Sequence, residues 1–164
     1  MINKPKLLVQ FAKQCLSKKN AMAKVKKKKK TPWPLAFVQF CIKQVDEEAD
    51  QDEYMGNVAD NEGFSGSFSP SFGHSSIFEF HDYKEIWENI EKKFKLKKPV
   101  PGSLVFWKNA SGGGHISIVI KALDPHRVSV IEGSDSLEQE VLKKTRSIKK
   151  EKDLTFVGIL TPWH

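Results

Sequence analysis

Histidine, cysteine and carboxylate side chains are the residues of this chain whose types could support nucleophilic or acid–base chemistry. His115 follows three glycines at residues 112–114, and Glu132 ends a β-rich run directly before Gly133. A histidine and a carboxylate can transfer protons when they lie close together. The alternative for His115 is an ordinary residue at the start of a strand, and the alternative for Glu132 is a solvated carboxylate at a strand end. The residues alone leave both interpretations open.

The two cysteines, Cys15 and Cys41, lie on the apolar faces of predicted helices, where a buried structural role is favoured. Two thiols cannot form a disulfide framework, and no Cys-x-x-Cys pair exists for zinc. His74, His81 and His126 show no metal-ligand spacing, and the chain has no H-E-x-x-H, P-loop or G-x-G-x-x-G motif. We therefore predict no metal and no cofactor.

The formal net charge of +7 is divided into segments rather than spread over the chain. Residues 1–45 contain twelve lysines and no acid, residues 46–62 contain eight acids and no base, and residues 63–164 contain 15 bases and 12 acids. The basic run at residues 24–30 predicts a solvated loop, because dense like charges repel each other. This loop could instead pair with the acidic segment or attract an anionic polymer or surface. Nucleic acid is a less favoured partner, because no aromatic residue interleaves the lysines.

Length and composition place the chain among globular domains. Its 164 residues are enough for one hydrophobic core, and 39% of them are apolar. No apolar run approaches the roughly 20 residues of a membrane-spanning helix. No secretory signal is recognisable, so we expect a cytoplasmic monomer without a transmembrane segment, with signal-independent export as the alternative.

Apolar spacing predicts helices first and strands afterwards, which is typical of an α+β fold. Helices are predicted at residues 6–16, 35–45 and 82–94. Asp82 is the predicted N-cap of the third helix. The strands of one antiparallel sheet are predicted at residues 104–107, 115–121, 127–132 and 153–160.

These elements predict one domain over residues 1–164, in four parts. In chain order the parts are a helical part with a basic loop, an irregular insertion, a helix and a β-sheet part, at residues 5–45 (loop 18–31), 46–81, 82–98 and 101–163. Within the insertion, residues 46–62 are predicted as an acidic loop. Residues 63–76, which are rich in Gly, Ser and Phe, are predicted as an ordered but irregular segment.

Four short segments occur in an order that matches a known pattern. Residues 31–38 read T-P-W-P-L-A-F-V, residues 101–106 read P-G-S-L-V-F, residues 114–119 read G-H-I-S-I-V, and residues 130–134 read V-I-E-G-S. They resemble the blocks T-P-W-C-A-A-F-V, P-G-D-[IL]-V-V-F, G-H-V-[GA]-[IF]-V and [VI]-x-x-E-G-N. This pattern is similar to that of the CHAP and NlpC/P60 group of cysteine peptidases and amidases, which cut peptide or amide bonds in bacterial peptidoglycan. The resemblance covers residues 5–163.

The resemblance implies a papain-like α+β fold, with N-terminal helices packed on a C-terminal antiparallel sheet. In this group a cysteine at the first turn of a buried helix is the nucleophile, since the helix dipole stabilises its thiolate. The resemblance gives His115 the role of the base that takes the thiol proton, and Glu132 the role of the residue that orients the imidazole. Trp33, Trp107 and Ser134 would line the groove and bind its ligand, with core packing as an equal alternative for the tryptophans.

The chain departs from the family pattern at two polar positions. Pro34 stands where the nucleophile belongs, and it has no thiol, hydroxyl or ionisable group. Ser134 stands where the pattern has Asn. Cys41 lies about 10 Å deeper along the helix at 1.5 Å per residue, so it is not expected to substitute. Ser117, two residues after His115, is a minor candidate for a hydroxyl near the site.

The sequence thus predicts a degenerate, catalytically inactive cell-wall amidase or peptidase domain. Its expected partner is a peptidoglycan stem peptide or another protein. One alternative is an active peptidoglycan hydrolase with a non-standard nucleophile. The other is a basic protein that binds nucleic acid or an anionic surface.

Overall fold

The computed structural model describes residues 2–58, 77, 82–136 and 138–163, and these form an α+β structure. Helices α1–α4 come first, at Lys4–Ser17, Lys19–Met22, Trp33–Val58 and Tyr83–Asn89. A 3-10 turn at Lys92–Phe94 follows α4. Strands β1–β7 come next, at Lys95–Leu96, Leu104–Asn109, Gly114–Asp124, Arg127–Gly133, Val141–Ser147, Lys150–Glu151 and Leu154–Leu160. The predicted α+β class, with helices before strands, is confirmed.

The strands form one antiparallel sheet in the order β1-β7-β2-β3-β4-β5, and β6 pairs with β7. β2, β3, β4 and β7 correspond to the four predicted strands. β5, at the end of this order, has no counterpart among them, because Lys143, Lys144 and Arg146 interrupt its apolar pattern. β1 and β6 have two residues each, too few to produce a period.

α3 carries the predicted buried face but is longer than predicted. The predicted face is fully buried at Phe37, Val38, Cys41, Ile42 and Val45. The predicted acidic loop at residues 46–62 is wrong as far as the structure describes it, because α3 continues to Val58. Ala49 extends the buried face, and Lys4 Nζ binds Asp46 Oδ1 at 3.0 Å, so the acids lie on a helix that packing supports. Residues 59–62 and the predicted irregular segment 63–76 lie outside the described residues.

The predicted basic loop 18–31 is exposed at its run of lysines but is wrong at residues 19–22, which form the short helix α2. Lys24 and residues 26–30 are exposed, whereas Met22 is buried in the core and belongs to the short helix α2. Gln139 Nε2 donates to the carbonyl oxygens of Met22 and Val25, both at 2.9 Å. The loop therefore lies beside the segment that leads into β5.

Pairing of the basic loop with the acidic segment, one of the alternatives that the sequence left open, does not occur among the described side chains. The loop precedes the first residue of α3, Trp33, whereas the acids begin at Asp46. At 1.5 Å per residue, Asp46 lies about 20 Å along the helix from Trp33. The acids that are ion-paired have other partners: Asp46 binds Lys4, and Glu47 lies 3.7 Å from Lys43.

α4 begins as predicted and ends earlier. Asp82 Oδ1 accepts hydrogen bonds from the backbone N–H groups of Lys84 and Glu85, at 2.8 and 3.2 Å, so the predicted cap is confirmed. Ile90 adopts an extended conformation with ψ 135°, which ends the α-helix before the 3-10 turn. The predicted apolar face still reaches the core, because Ile86 and Ile90 are buried.

The two faces of the sheet build two separate apolar clusters. One face packs against the helices and contributes Phe106, Ile116 and Ile131 to the main core. The other face carries a second cluster that includes Val105 and Trp107. Side chains alternate along a strand, so residues paired directly across two strands share a face. No helix in the described part of the chain is long and apolar enough to cross a membrane.

Candidate functional site

His115 and Glu132 form a buried ion pair on two neighbouring strands. His115 lies near the start of β3, and its register partner on β2 is Trp107, so both face the second cluster. In the β3–β4 pairing Ile118 is opposite Ile131, which places Glu132 beside the start of β3. His115 Nε2 lies 2.9 Å from Glu132 Oε2, and both side chains are 1% exposed. The structure thus brings together the two residues that the sequence pointed to.

Glu132 is also the centre of a larger charged network. Arg146 on β5 donates from Nη2 to Oε1 at 2.5 Å and from Nε to Oε2 at 3.2 Å. Ser117 Oγ donates to Oε2 at 2.5 Å, and Lys144 Nζ lies 3.8 Å from Oε1. Burial raises the pKa of Glu132, but the contacts with His115, Arg146 and Ser117 outweigh it and lower that pKa to about 2. Glu132 is therefore a fixed carboxylate at neutral pH.

His115 lies between two carboxylates. Its Nδ1 is 3.6 Å from Asp135 Oδ2, on the side of the ring opposite Glu132. Neither ring nitrogen makes a well-aligned hydrogen bond among the described residues, so these contacts are mainly ionic. Burial lowers the pKa of His115, but the contacts with Asp135 and Glu132 outweigh it, and the net direction is upward from 6.5. The imidazole is thus biased towards its protonated form, which cannot act as a general base.

The start of α3 packs directly on the strand that carries Glu132. A Cβ on Gly133 would lie 3.0 Å from Pro34 Cα and 2.9 Å from Trp33 Cδ1, so only glycine fits there without displacement. Pro34 therefore lies against the residue that follows Glu132. Proline fills the position that the family pattern assigns to the nucleophile, one residue along β4 from the ion pair.

Neither cysteine replaces the missing nucleophile. Cys15 and Cys41 are buried in the main core, on α1 and α3, at 5% and 0% exposure. Burial raises the pKa of Cys41 well above its usual value, which disfavours the reactive thiolate. Ser117, the minor candidate, is fully buried and uses its hydroxyl to bind Glu132.

The two tryptophans of the predicted groove are both engaged in packing. Trp33 is 5% exposed and donates from Nε1 to the Glu140 carbonyl at 2.8 Å. Trp107 is 0% exposed, donates to the Ser147 carbonyl at 3.2 Å and lies 6.1 Å from the His115 ring, centroid to centroid. These contacts favour core packing, the alternative that the sequence left open.

Ser134 belongs to the loop that follows β4. Its backbone N–H donates to the Glu140 carbonyl at 2.9 Å, and its Oγ lies 2.7 Å from Ser136 Oγ. These bonds close the loop on itself. The role predicted for Ser134, contact with a ligand, stays a prediction.

Three further residues complete the site, and sequence reasoning missed all of them as site residues. Arg146 lies on the strand that has no apolar pattern, and Asp135 lies in a loop whose course depends on the fold. Tyr83 was recognised only as part of a helix face. Its ring packs so closely on the turn before His115 that a Cβ on Gly114 would lie 2.7 Å from Tyr83 Cδ2. Gly114, directly before His115, is the one feature of the sequence that indicates a close contact at this turn.

The hydroxyl of Tyr83 is buried and makes no hydrogen bond with the described residues. Burial raises the pKa of this hydroxyl, and the charge of Asp135 raises it further. The backbone N–H of Leu35, in the first turn of α3, lowers the pKa of the same hydroxyl. The ring of Tyr83 thus packs on the turn before His115, and the start of α3 and the Asp135 charge both affect its hydroxyl.

No group of three His, Cys, Asp or Glu side chains among the described residues could hold a metal ion. Comparisons of the chain with protein-family models, with curated proteins and with solved structures find no match.

Proposed function

We propose that this chain is a catalytically inactive member of the CHAP-like group, with a papain-like fold, that binds a peptidoglycan stem peptide or a protein partner. The observation that carries the proposal is the buried pair of His115 Nε2 and Glu132 Oε2 at 2.9 Å, with Pro34 packed on the adjacent Gly133. A histidine, a carboxylate and the first turn of a helix are the three components of the family's site. In this chain all three occur in the order that the resemblance requires.

Loss of activity follows from the chemistry of the residues present. Acyl transfer through a covalent intermediate needs a nucleophile, and Pro34 has none. It also has no backbone N–H to offer to an oxyanion. The ion pairs on both sides of His115 favour the imidazolium, which cannot accept a proton from a nucleophile or from water.

The alternative of an active hydrolase is less well supported, because each candidate nucleophile is occupied or buried. The hydroxyl of Ser117 donates its hydrogen bond to Glu132 rather than to His115. Cys41 is 0% exposed in the main core. An activity that uses either residue would require the site to open first.

Incubation with peptidoglycan and with synthetic stem peptides tests the proposal. Binding is measured by calorimetry and amide cleavage by the release of new amines, with the His115→Ala variant as the control. We expect binding without amine release. Amine release that the His115→Ala change abolishes would contradict an inactive site, and the absence of any binding to wall peptides would contradict the proposed ligand.

A second candidate function is the binding of a polyanion such as a nucleic acid or an anionic cell-surface polymer. It is favoured by the two hydrogen bonds of Gln139, which hold the exposed basic loop beside the segment that leads into β5, the strand on which Lys143 and Lys144 are also exposed. These lysines therefore form one basic region that a polyanion could contact. The affinity of the protein for a polyanion should fall steeply as the salt concentration rises and when Lys26, Lys28 and Lys29 are replaced by Gln. Insensitivity to both changes would eliminate this function.

A further inference from the structure

The two sides of the His115 ring differ in how well they are closed. On the Nε2 side, Glu132 is saturated by Ser117, Arg146 and His115 itself. On the Nδ1 side, the described residues provide one partner, Asp135, whose side chain is 74% exposed. Asp135 is therefore the exposed group among the contacts of the buried imidazole.

Two side chains interact with the Asp135 carboxylate, His115 by contact and Tyr83 through the charge. His115 Nδ1 lies 3.6 Å from Oδ2 and is biased towards the N–H form by Glu132 behind it. The hydroxyl of Tyr83 is buried without a hydrogen bond among the described residues, in the field of the Asp135 charge. The backbone N–H of Leu35, at the positive end of α3, acts on that hydroxyl. A cation, a hydroxyl and a helix N-terminus together are a set of groups that binds a carboxylate.

We propose that His115, Tyr83 and the first turn of α3 form a carboxylate-binding site, in which Asp135 is a resident occupant that an external carboxylate displaces. The external group would be the C-terminal carboxylate of a peptide or a free small carboxylate. This inference rests on the proposed function, because it assigns the ligand chemistry of the same site.

The contacts of Asp135 show why it can be displaced. Its distance of 3.6 Å from Nδ1 exceeds the 2.7–2.9 Å of a strong charge-assisted hydrogen bond. An ion pair with one exposed member contributes little, because water screens it. The loop itself is held by other bonds, from Ser134 N–H to the Glu140 carbonyl and from Ser136 Oγ to the Glu138 carbonyl. The Asp135 side chain can therefore rotate away while the loop stays in place.

Titration with sodium acetate, at constant ionic strength, tests this site directly. The readout is the Cε1–Hε1 signal of the His115 ring in the NMR spectrum, and acetamide is the neutral matched probe. The Asp135→Ala variant should bind acetate at least tenfold more tightly than the wild type, because the resident carboxylate no longer competes. Acetamide should produce no saturable shift. The variant Asp153→Ala removes an exposed acid elsewhere and should behave as the wild type does.

A second pair of probes identifies the source of the carboxylate. N-acetyl-alanyl-alanine has a free C-terminus, and its amide does not. Tighter binding of the acid than of acetate would support a peptide terminus as the ligand, and equal binding would support a site for a free small carboxylate. The amide should not bind in either case.

The outcomes that overturn the inference are separate from those that overturn the proposed function. If both Asp135→Ala and Asp135→Asn bind acetate within twofold of the wild type, or if acetamide is as effective as acetate, there is no carboxylate site. In that case binding of stem peptides to the wild type would still support the proposed function. Failure of stem peptides together with tight acetate binding would instead remove the wall ligand and leave the carboxylate site.

Discussion

The strand half of the candidate site and its helix half differ in what each can do chemically. The strand half contains His115, Glu132 and Arg146, which are buried or nearly so, and the carboxylate of Glu132 contacts both of the others. The helix half presents Trp33 and Pro34, which fill space and carry no reactive group. The difference shows that the site contains groups that bind protons and carry charge, but no nucleophile beside them. In the proposed function this site holds and orients a ligand, and without a nucleophile it forms no covalent intermediate.

The strand half is also internally balanced. Buried charges are tolerated only when each has a partner, and here Glu132 is compensated by His115 and Arg146, while Arg146 also lies 3.4 Å from Glu151. No residue of α3 takes part in this network among the described residues. The charged half of the site can therefore persist whatever residue starts the helix.

The largest expected effect comes from removing the centre of the strand half. The Glu132→Gln variant removes the buried carboxylate that Arg146 and His115 share and leaves them only the more exposed Glu151 and Asp135, so we expect a loss of about 3–5 kcal/mol in the free energy of unfolding. Urea denaturation measures it, with the exposed Glu138→Gln as the matched control, which should change by less than about 0.5 kcal/mol. A loss at residue 132 as small as that of the control would mean that the network is not a stabilising unit.

The pH dependence of stability should show both members of the pair. The pKa of Glu132 is lowered from 4.5 to about 2, so its contribution, about 3 kcal/mol, is complete above pH 4.5 and is lost as the pH falls towards 2. The pKa of His115 is raised from 6.5, so its contribution is complete below pH 6.5 and is lost as the pH rises through the raised value. Stability should thus be greatest between pH 4.5 and 6.5.

Denaturation curves from pH 2 to 9 check this profile. The His115→Gln variant should lose the decline on the alkaline side, and this is the control that assigns it. A wild-type profile that keeps rising from pH 6.5 to 8 would contradict the upward shift of the His115 pKa.

A smaller effect is expected where the two halves touch. In Gly133→Ala the new methyl group would meet Trp33 and the backbone of Pro34 at 2.9–3.0 Å, and backbone cannot move aside cheaply. We expect a loss of about 1–3 kcal/mol in the free energy of unfolding, as for other overpacked sites. Gly113→Ala is the control, because its methyl group would meet only the flexible side chain of Asn109. Equal stability of the two variants would show that the start of α3 is not tightly packed against β4.

Local patterns were enough to predict much of this fold. The β-branched runs and glycine turns predict β2, β3, β4 and β7, and helical spacing predicts α1 and the buried half of α3. The end of α3 could not be predicted, because the contact of Asp46 with Lys4 joins residues that are distant in sequence. An acidic composition by itself does not separate a loop from an exposed helix face.

The site was predictable where a motif fixes a strand end, and not where the contact depends on register. His115 and Glu132 stand at strand ends next to glycines, so the resemblance could assign both. β5 pairs with β4 so that Leu142 lies opposite Glu132. Lys144 is two residue pairs further along the two strands and Arg146 is four, and this register lets the Arg146 side chain reach Glu132. No sequence pattern states that register. Asp135 reaches His115 through a loop closed by Ser134, and this too follows only from the fold.

The variant Pro34→Cys tests the central claim most directly, because it adds the thiol that the resemblance implies at this position. The new thiol would lie at the first turn of α3, where the helix dipole stabilises a thiolate. We predict that iodoacetamide alkylates it at least tenfold faster at pH 7 than Cys15 or Cys41, and that His115→Ala in the same background slows this reaction. A new thiol that reacts no faster than the two buried cysteines, or whose rate is indifferent to His115, would contradict a site that is complete except for its nucleophile.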